Sequence, residues 1–218
     1  MVRNIVFIAP PAAGKGTQAA ILKDKFNIAH ISTGDLLREE VKKGTKLGNE
    51  LSEQMKSGKL ISDEIVTELL KKRLLENDTN NGYILDGYPR NISQAETLDT
   101  LLSDINKPID YVIYLDIDSE TAMKRACGRL QCNNCGKIYN KYFDESKPKS
   151  ENMCDECNIT LTHRADDNED SFKVRFETFM ESTKPLIDFY KSRNLLYTVD
   201  SSISKEYTSE QINKVLNK

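Results

Sequence analysis

Asn4-Ile5-Val6-Phe7-Ile8 runs directly into Ala9-Pro10-Pro11-Ala12-Ala13-Gly14-Lys15-Gly16-Thr17, and this stretch decides the reading of the chain. The β-branched and aromatic run reads as a buried strand. After the loop, Gln18 to Phe26 carries Ala19, Ile21, Leu22 and Phe26 at helical spacing. Strand, loop and helix in that order open a parallel α/β unit. A loop of this kind wraps backbone N–H groups around a phosphate while the helix N-terminus points at it. Lys15 supplies mobile positive charge for the transferred group, and the Thr17 hydroxyl stands where it assists a magnesium shell. Ala12, Ala13, Gly14 and Gly16 complete the cradle. Ala9 and Ala12 stand where the usual signature has glycine, and an alanine forced to positive φ costs about 1–2 kcal/mol.

Outward from this unit the pattern repeats. Tyr83 to Asp86, Tyr111 to Leu115 and Leu195 to Val199 are further strand-like runs, and His30 begins a short strand-like segment. Ser32 or Thr33 is placed to cap a helix. Gly44 and Gly58 divide the next stretch into short helices, and Ser62-Asp63-Glu64 opens another. Helices between strands predict a doubly wound parallel sheet flanked by helices. Gln131 to Asp170 breaks the pattern. It is polar, lacks helical periodicity, and reads as an insertion between a helix ending near Arg129 and a long helix from Glu169 to Arg193.

That insertion holds Cys132-Asn-Asn-Cys135 and Cys154-Asp-Glu-Cys157. The knuckle spacing fits a closed four-thiolate zinc site with no open position, so the metal is expected to be structural. Iron suits the same ligands. Cys127 stands alone on a helix and reads as packing. Surface or core duty is expected of His30 and His163.

The 218 residues include 31 basic and 34 acidic side chains, a net charge of −3. A duplex-binding protein would be more basic, so no nucleic-acid partner is expected and anionic substrates must be gathered by local arginines. The apolar run at the N-terminus is short for a leader, and none approaches the ~20 residues a membrane helix needs. With cysteines in metal-type spacing, these features predict a cytoplasmic protein without a membrane partner. A monomer is expected, since no apolar surface helix suggests an interface.

Pro10 to Gln18, Ser32-Thr-Gly-Asp-Leu-Leu-Arg38 and Asp86-Gly-Tyr-Pro-Arg90 resemble the core motifs of the adenylate kinases. Arg125-x-x-Gly128-Arg129, Arg164-x-Asp166-Asp167 and Arg175 follow in the same order, so the resemblance covers nearly the whole chain. It implies a P-loop nucleoside monophosphate kinase fold of the long-lid, four-cysteine type. The core would comprise residues 1–31, 62–128 and 168–218, with an AMP-binding domain at 32–61 and a zinc-ribbon lid at 129–167.

The implied reaction is ATP + AMP = 2 ADP with Mg²⁺. Thr33, Arg38, Lys59, Leu60, Ile61, Gly87, Tyr88, Pro89, Arg90 and Gln94 resemble the AMP site. Arg125 and Arg129 resemble the ATP-side arginines, and Arg164 and Arg175 those that clamp both nucleotides. Asp86 resembles the outer-shell carboxylate for magnesium. Ile138 and Tyr139 resemble lid residues near the ATP ribose, with packing inside the lid an alternative. Phosphoryl transfer favours such a set, because it needs positioning and charge more than covalent chemistry, and arginine meets two phosphate oxygens at once.

Three other readings stand beside this one. The same fold would serve GTP as donor, or UMP or CMP as acceptor. Ala9 and Ala12 would suit a weakly active or non-catalytic nucleotide sensor. A nucleic-acid ribbon would need a basic insertion, whereas this one holds Asp144, Glu145, Glu151, Asp155 and Glu156.

Overall fold

The computed structural model describes residues 3–56, 61–164 and 166–217. Five parallel strands form the main sheet in the order β2-β3-β1-β4-β7: β1 (Arg3–Ile8), β2 (Ala29–Ser32), β3 (Gly82–Asp86), β4 (Tyr111–Asp116) and β7 (Leu196–Asp200). Each connection between neighbours passes through helix, as parallel pairing requires. The P-loop nucleoside monophosphate kinase class read from the motifs is the architecture observed.

Side-chain alternation along the strands splits the core into two layers. Val6, Ile8, Tyr83, Leu85 and Val112 point to one side and Ile5, Phe7, Ile84, Ile113 and Leu115 to the other. The first face is covered by α2 (Thr33–Lys42), α3 (Lys46–Lys56), α4 (Asp63–Leu74), α5 (Ile92–Asp104) and α8 (Leu186–Lys191), through Leu37, Leu51, Leu70, Leu98 and Leu186. The second is covered by α1 (Lys15–Phe26), α6 (Ser119–Cys127), α7 (Glu169–Thr178) and α9 (Lys205–Leu216), through Leu22, Ala126, Phe172 and Ile212. Both faces being buried explains why these strands read as unbroken apolar runs. No helix among the described residues is long and apolar enough to cross a membrane.

Ser32 is the cap the sequence offered for α2: its hydroxyl accepts the Asp35 N–H at 3.3 Å. Two helix boundaries differ from expectation. The helix expected to run to near Arg129 stops at Cys127, because the Asn140 amide takes the Arg125 carbonyl at 2.9 Å and the chain turns at Gly128. Arg129 therefore begins β5 (Arg129–Gln131), antiparallel to β6 (Ile138–Asn140). The long helix expected from Glu169 to Arg193 widens into a π-helical turn at Phe179–Thr183, just before Pro185. Proline has no N–H to continue an α-helical ladder, so α8 restarts behind it. The β5–β6 pairing within the cysteine-bearing insertion was not visible as a strand pattern, being three residues long on each side. Gly58, expected to break helices, lies outside the described residues.

Gly82 sets how closely β1 and β3 approach at their start. Its φ is +117°, and a Cβ there would lie 2.5 Å from the Arg3 carbonyl oxygen and 2.8 Å from its nitrogen. Backbone on a central strand has little room to yield. Gly82→Ala is expected to cost at least about 1–3 kcal/mol from the backbone conformation alone, measured by urea unfolding. A loss below about 0.5 kcal/mol would contradict this packing.

Candidate active site

The carboxyl ends of β1, β2 and β3 meet at one edge of the sheet, where Phe7, Asp86 and Ser32 stand in register. Open α/β sheets bind ligands at that edge. Between β1 and α1 the loop turns through Ala12 at φ 61° and Gly14 at φ 92°. Ala12 thus adopts the left-handed conformation that glycine would adopt more cheaply, and the turn forms nonetheless. Ala9 is buried and carries no positive φ among the described residues.

Lys15, at the start of α1, folds back over the loop and donates to the Ala9 and Pro10 carbonyls at 3.1 and 3.3 Å. Burial lowers its ammonium to about 8, opposed by the Asp86 charge and reinforced by Arg90, Arg175 and Arg129. Thr17 is exposed on the first turn of α1. Asp86 closes β3. Burial pushes its carboxyl up, yet His30, Lys15 and Arg90 outweigh burial and hold it below the usual carboxylate range. His30 Nε2, on the neighbouring strand β2, lies 3.5 Å from Asp86 Oδ2. Surface or core duty was expected of His30, and its place beside Asp86 comes from the pairing of β2 with β3.

A second group of residues faces this edge from α2 and the loop after β3. Thr33 donates its hydroxyl to the Gly87 carbonyl at 3.0 Å. Arg90 donates from Nε to the same carbonyl at 2.7 Å, which folds its guanidinium beneath the turn. Gly87 holds φ +88°, and a Cβ would come within 2.9 Å of the Thr33 hydroxyl. Only glycine lets these groups close on one carbonyl. Burial lowers the Arg90 guanidinium, with Arg175 and Arg38 adding to the effect and Asp86 opposing it.

Thr33, Arg38, Ile61, Gly87, Tyr88, Arg90, Gln94 and Arg175 line a single cavity. Leu37, Met55, Val66 and Asp166 complete its wall. The apolar members were not singled out from sequence. Their signal was the apolar side of α2, α3 and α4, which reads equally well as core. Lys59 and Leu60, expected beside Ile61, lie outside the described residues. Pro89 follows Tyr88 through a cis peptide. Gln94 is buried, accepts the Arg90 N–H at 2.7 Å and donates to Asp63 at 2.6 Å.

The remaining arginines come from the insertion and its borders. Arg175 on α7 pairs with Asp166 at 2.7 Å, and Arg129 lies 3.2 Å from the buried Asp167. Burial lowers Arg129 to about 10 against the Asp167 charge, with Arg164 and Arg175 lowering it further. Arg164 donates to the Gln131 side chain at 2.9 Å. Arg125 stands apart, donating to the Ser201 and Ser202 carbonyls at 2.6 and 3.1 Å. The geometry therefore brings Arg90, Arg129 and Arg175 within electrostatic reach of Lys15. Arg38 joins from the cavity side, held by Asp35 at 2.5 Å.

In the insertion, the sulfurs of Cys132, Cys135, Cys154 and Cys157 all lie within 4.8 Å of one another. A tetrahedral tetrathiolate with metal–sulfur bonds of about 2.3 Å has edges of about 3.8 Å, and Cys135 Sγ stands 3.7 Å from Cys154 Sγ. The donor set fits zinc. Leu130, Tyr139 and Leu161 pack beside the thiols as a separate small core. Tyr139 is buried there, whereas its neighbour Ile138 is 40% exposed.

Residues 7–195 match the family model described as adenylate kinase. A protein from Archaeoglobus fulgidus named adenylate kinase is 43% identical over 215 residues, covering 99% of this chain and 98% of its own. Adenylate kinases from Thermodesulfovibrio yellowstonii and Methanosarcina barkeri are each 44% identical over 215 residues, 99% of both chains. With the phosphate loop, the opposed arginines and the four-cysteine insertion already in place, these matches identify the chain as a member of the adenylate kinase family, a nucleotide phosphotransferase with a cysteine cluster fitted for a zinc-binding lid.

Proposed function

We propose that the protein catalyses the reversible transfer ATP + AMP = 2 ADP with Mg²⁺. The observation that carries this reading is that Asp86 interacts with two separate groups of residues, each suited to hold a phosphate. One is the loop and helix start at Lys15, and the other is the cavity holding Thr33, Arg38 and Arg90. A donor triphosphate on the first and an acceptor monophosphate in the second would meet over the β3 edge.

The reaction needs no general base, since the acceptor phosphate oxygen is already ionised. That oxygen bonds to the γ-phosphorus while the bond to the β-phosphate oxygen breaks, leaving two diphosphates. Charge crowding is the main barrier, and fixed cations lower it. Ala12, Ala13, Gly14, Gly16 and Thr17 would cradle the donor phosphates. Lys15 would leave the Ala9 and Pro10 carbonyls for the β- and γ-phosphates. Arg90 and Arg38 would take the acceptor phosphate. Arg129, Arg164 and Arg175 would exchange their carboxylate and amide partners for phosphate oxygens, and Arg125 would border the donor base.

Magnesium with ATP supplies further charge neutralisation, and Asp86 and Thr17 stand where its outer shell would be held. The apolar wall of Leu37, Met55, Ile61 and Val66, with Gln94, suits a purine. Ile61, Gly87, Tyr88 and Pro89 would contact AMP. Lys59 and Leu60 would join them by the family motif. Ile138 and Tyr139 would border the ATP ribose, Tyr139 through its backbone because its ring is buried in the ribbon.

Residues 32–61 and 129–167 would move as AMP-binding domain and lid against the core of 1–31, 62–128 and 168–218, hinged near Gly128 and Asp166. Closure would exclude water as a competing acceptor. A chain working alone in the cytoplasm, without nucleic acid or membrane, is the setting this reading implies. Zinc in the four cysteines would hold the lid's shape.

Lys15→Met tests the arrangement directly. Turnover should fall by about 10²–10³-fold or more with the fold retained, as expected for removing a preorganised charge from the transferred group. Turnover within a few-fold of wild type would remove Lys15 from the reaction.

The lowered Lys15 ammonium makes a second prediction. Bound phosphates favour the charged amine, so the nucleotide complex has the higher pKa. ATP affinity should therefore fall as pH rises through about 8, and binding in that range should take up a proton. Calorimetry in buffers of differing ionisation enthalpy reads the uptake, which Lys15→Met should abolish. Binding without proton uptake near pH 8 would contradict this account of the lysine.

A further inference from the structure

We propose that Tyr139 is an outer-shell hydrogen-bond donor of the four-cysteine metal centre, giving its phenolic proton to the Cys154 sulfur and tying strand β6 to the metal. The inference rests on the reading that these thiols hold a metal. It concerns a residue read from the family motif as bordering nucleotide or packing inside the lid, with no role at the metal.

The Tyr139 hydroxyl lies 3.5 Å from Cys154 Sγ. The same oxygen accepts the Asp155 N–H at 3.0 Å. A phenol carries one proton and accepts through its lone pairs. With a lone pair turned to the amide, its proton is free for the sulfur. A cysteine that ligates metal is a thiolate without an S–H, so Cys154 can only accept. The direction of the bond follows from these two facts together.

Burial makes the bond consequential. Tyr139 is 3% exposed and Cys154 fully enclosed, so no water replaces this donor. Four thiolates around a divalent ion leave a surplus of negative charge, which donors to sulfur must spread. Cys135 is exposed and Cys157 partly so, and Asn134 donates to Cys157 Sγ at 3.4 Å. Of the two buried thiols, Cys154 is the one met by a phenol. Lys137, beside the ring at 5.3 Å, is occupied by Glu156 at 2.8 Å.

The bond also reaches beyond the ribbon. Tyr139 pairs with Leu130 across the β5–β6 ladder, and the next residue, Asn140, holds the Arg125 carbonyl at the end of α6. Asn140 also accepts the Tyr142 N–H at 3.0 Å, which fixes its amide. Metal, Cys154, Tyr139 and Asn140 thus form one continuous link to the base of the insertion.

Tyr139→Phe in the full chain keeps the ring and removes the proton. Outer-shell donors of this kind change metal affinity by about 10–100-fold. Zinc competition against a chromophoric chelator should show a loss of that size. In the cobalt-loaded protein, the thiolate-to-metal charge-transfer bands should move to lower energy, since a sulfur without its donor gives up charge more readily. The rise in Tm on adding zinc should shrink, so that the variant loses more Tm with zinc bound than without it.

Unchanged zinc affinity and cobalt spectrum in Tyr139→Phe would overturn the assignment, provided wild type binds one metal per chain. An equal drop in Tm with and without metal would also overturn it, leaving the hydroxyl only its bond to the Asp155 amide. Wild type that takes up neither zinc nor cobalt would overturn the metal reading itself, and the role of Tyr139 with it.

Discussion

Holding several cations close together, before any phosphate arrives, is the constraint around which this structure is arranged. Burial lowers the charged forms of Lys15, Arg90 and Arg129, and the positive charge of Arg175 lowers each of them further. Asp86 is the carboxylate that offsets Lys15 and Arg90 together. Its position is fixed by the sheet and not by a loop, since it ends β3 in register with Phe7 on one side and Ser32 on the other. Each remaining cation is parked on a partner it can leave. Lys15 rests on loop carbonyls, Arg175 on Asp166, and Arg38 on Asp35. Such preorganised charge, already dehydrated, is what a phosphoryl transfer site requires.

The same economy explains the cysteine-bearing insertion. Its own apolar core is small, with Leu130, Tyr139 and Leu161 around the thiols. A segment with so little to bury cannot offset its ordering entropy through packing alone. Four sulfurs within tetrahedral reach are placed to supply the missing constraint once a metal joins them. The insertion in turn carries Arg164, Asp166 and Asp167 and adjoins Arg129, so a metal held there would act on the arginines beside the phosphate loop.

Much of this was legible in the residues. The unbroken apolar runs at Val6 to Ile8 and Tyr83 to Leu85 announce strands buried on both faces, and Gly14-Lys15-Gly16 announces the loop between strand and helix. The cysteine spacing announced a cluster, and the four sulfurs do converge. What stayed hidden depended on contacts distant in sequence. The end of α6 at Cys127 is held by Asn140, and within residues 119–129 only Gly128 signals it. The π-helical turn before Pro185 interrupts an amphipathic pattern that reads as one helix. His30 beside Asp86, and Asp63 beside Gln94, are pairings made by the sheet edge and by α4 meeting α5. Ala12 was legible as a cost, and its φ of 61° shows the turn formed with that cost absorbed.

The central claim is that the two arrangements of charge bind a donor triphosphate and an adenine monophosphate for direct transfer. The most direct measurement mixes the protein and Mg-ATP with each nucleoside monophosphate in turn and follows diphosphates by chromatography. Rapid ADP formation with AMP, far ahead of UMP, CMP and GMP, is the result expected. Tight ATP binding with no diphosphate formed from any monophosphate would contradict it, and turnover favouring a pyrimidine would show that the cavity beside Thr33 and Gln94 had been assigned the wrong base.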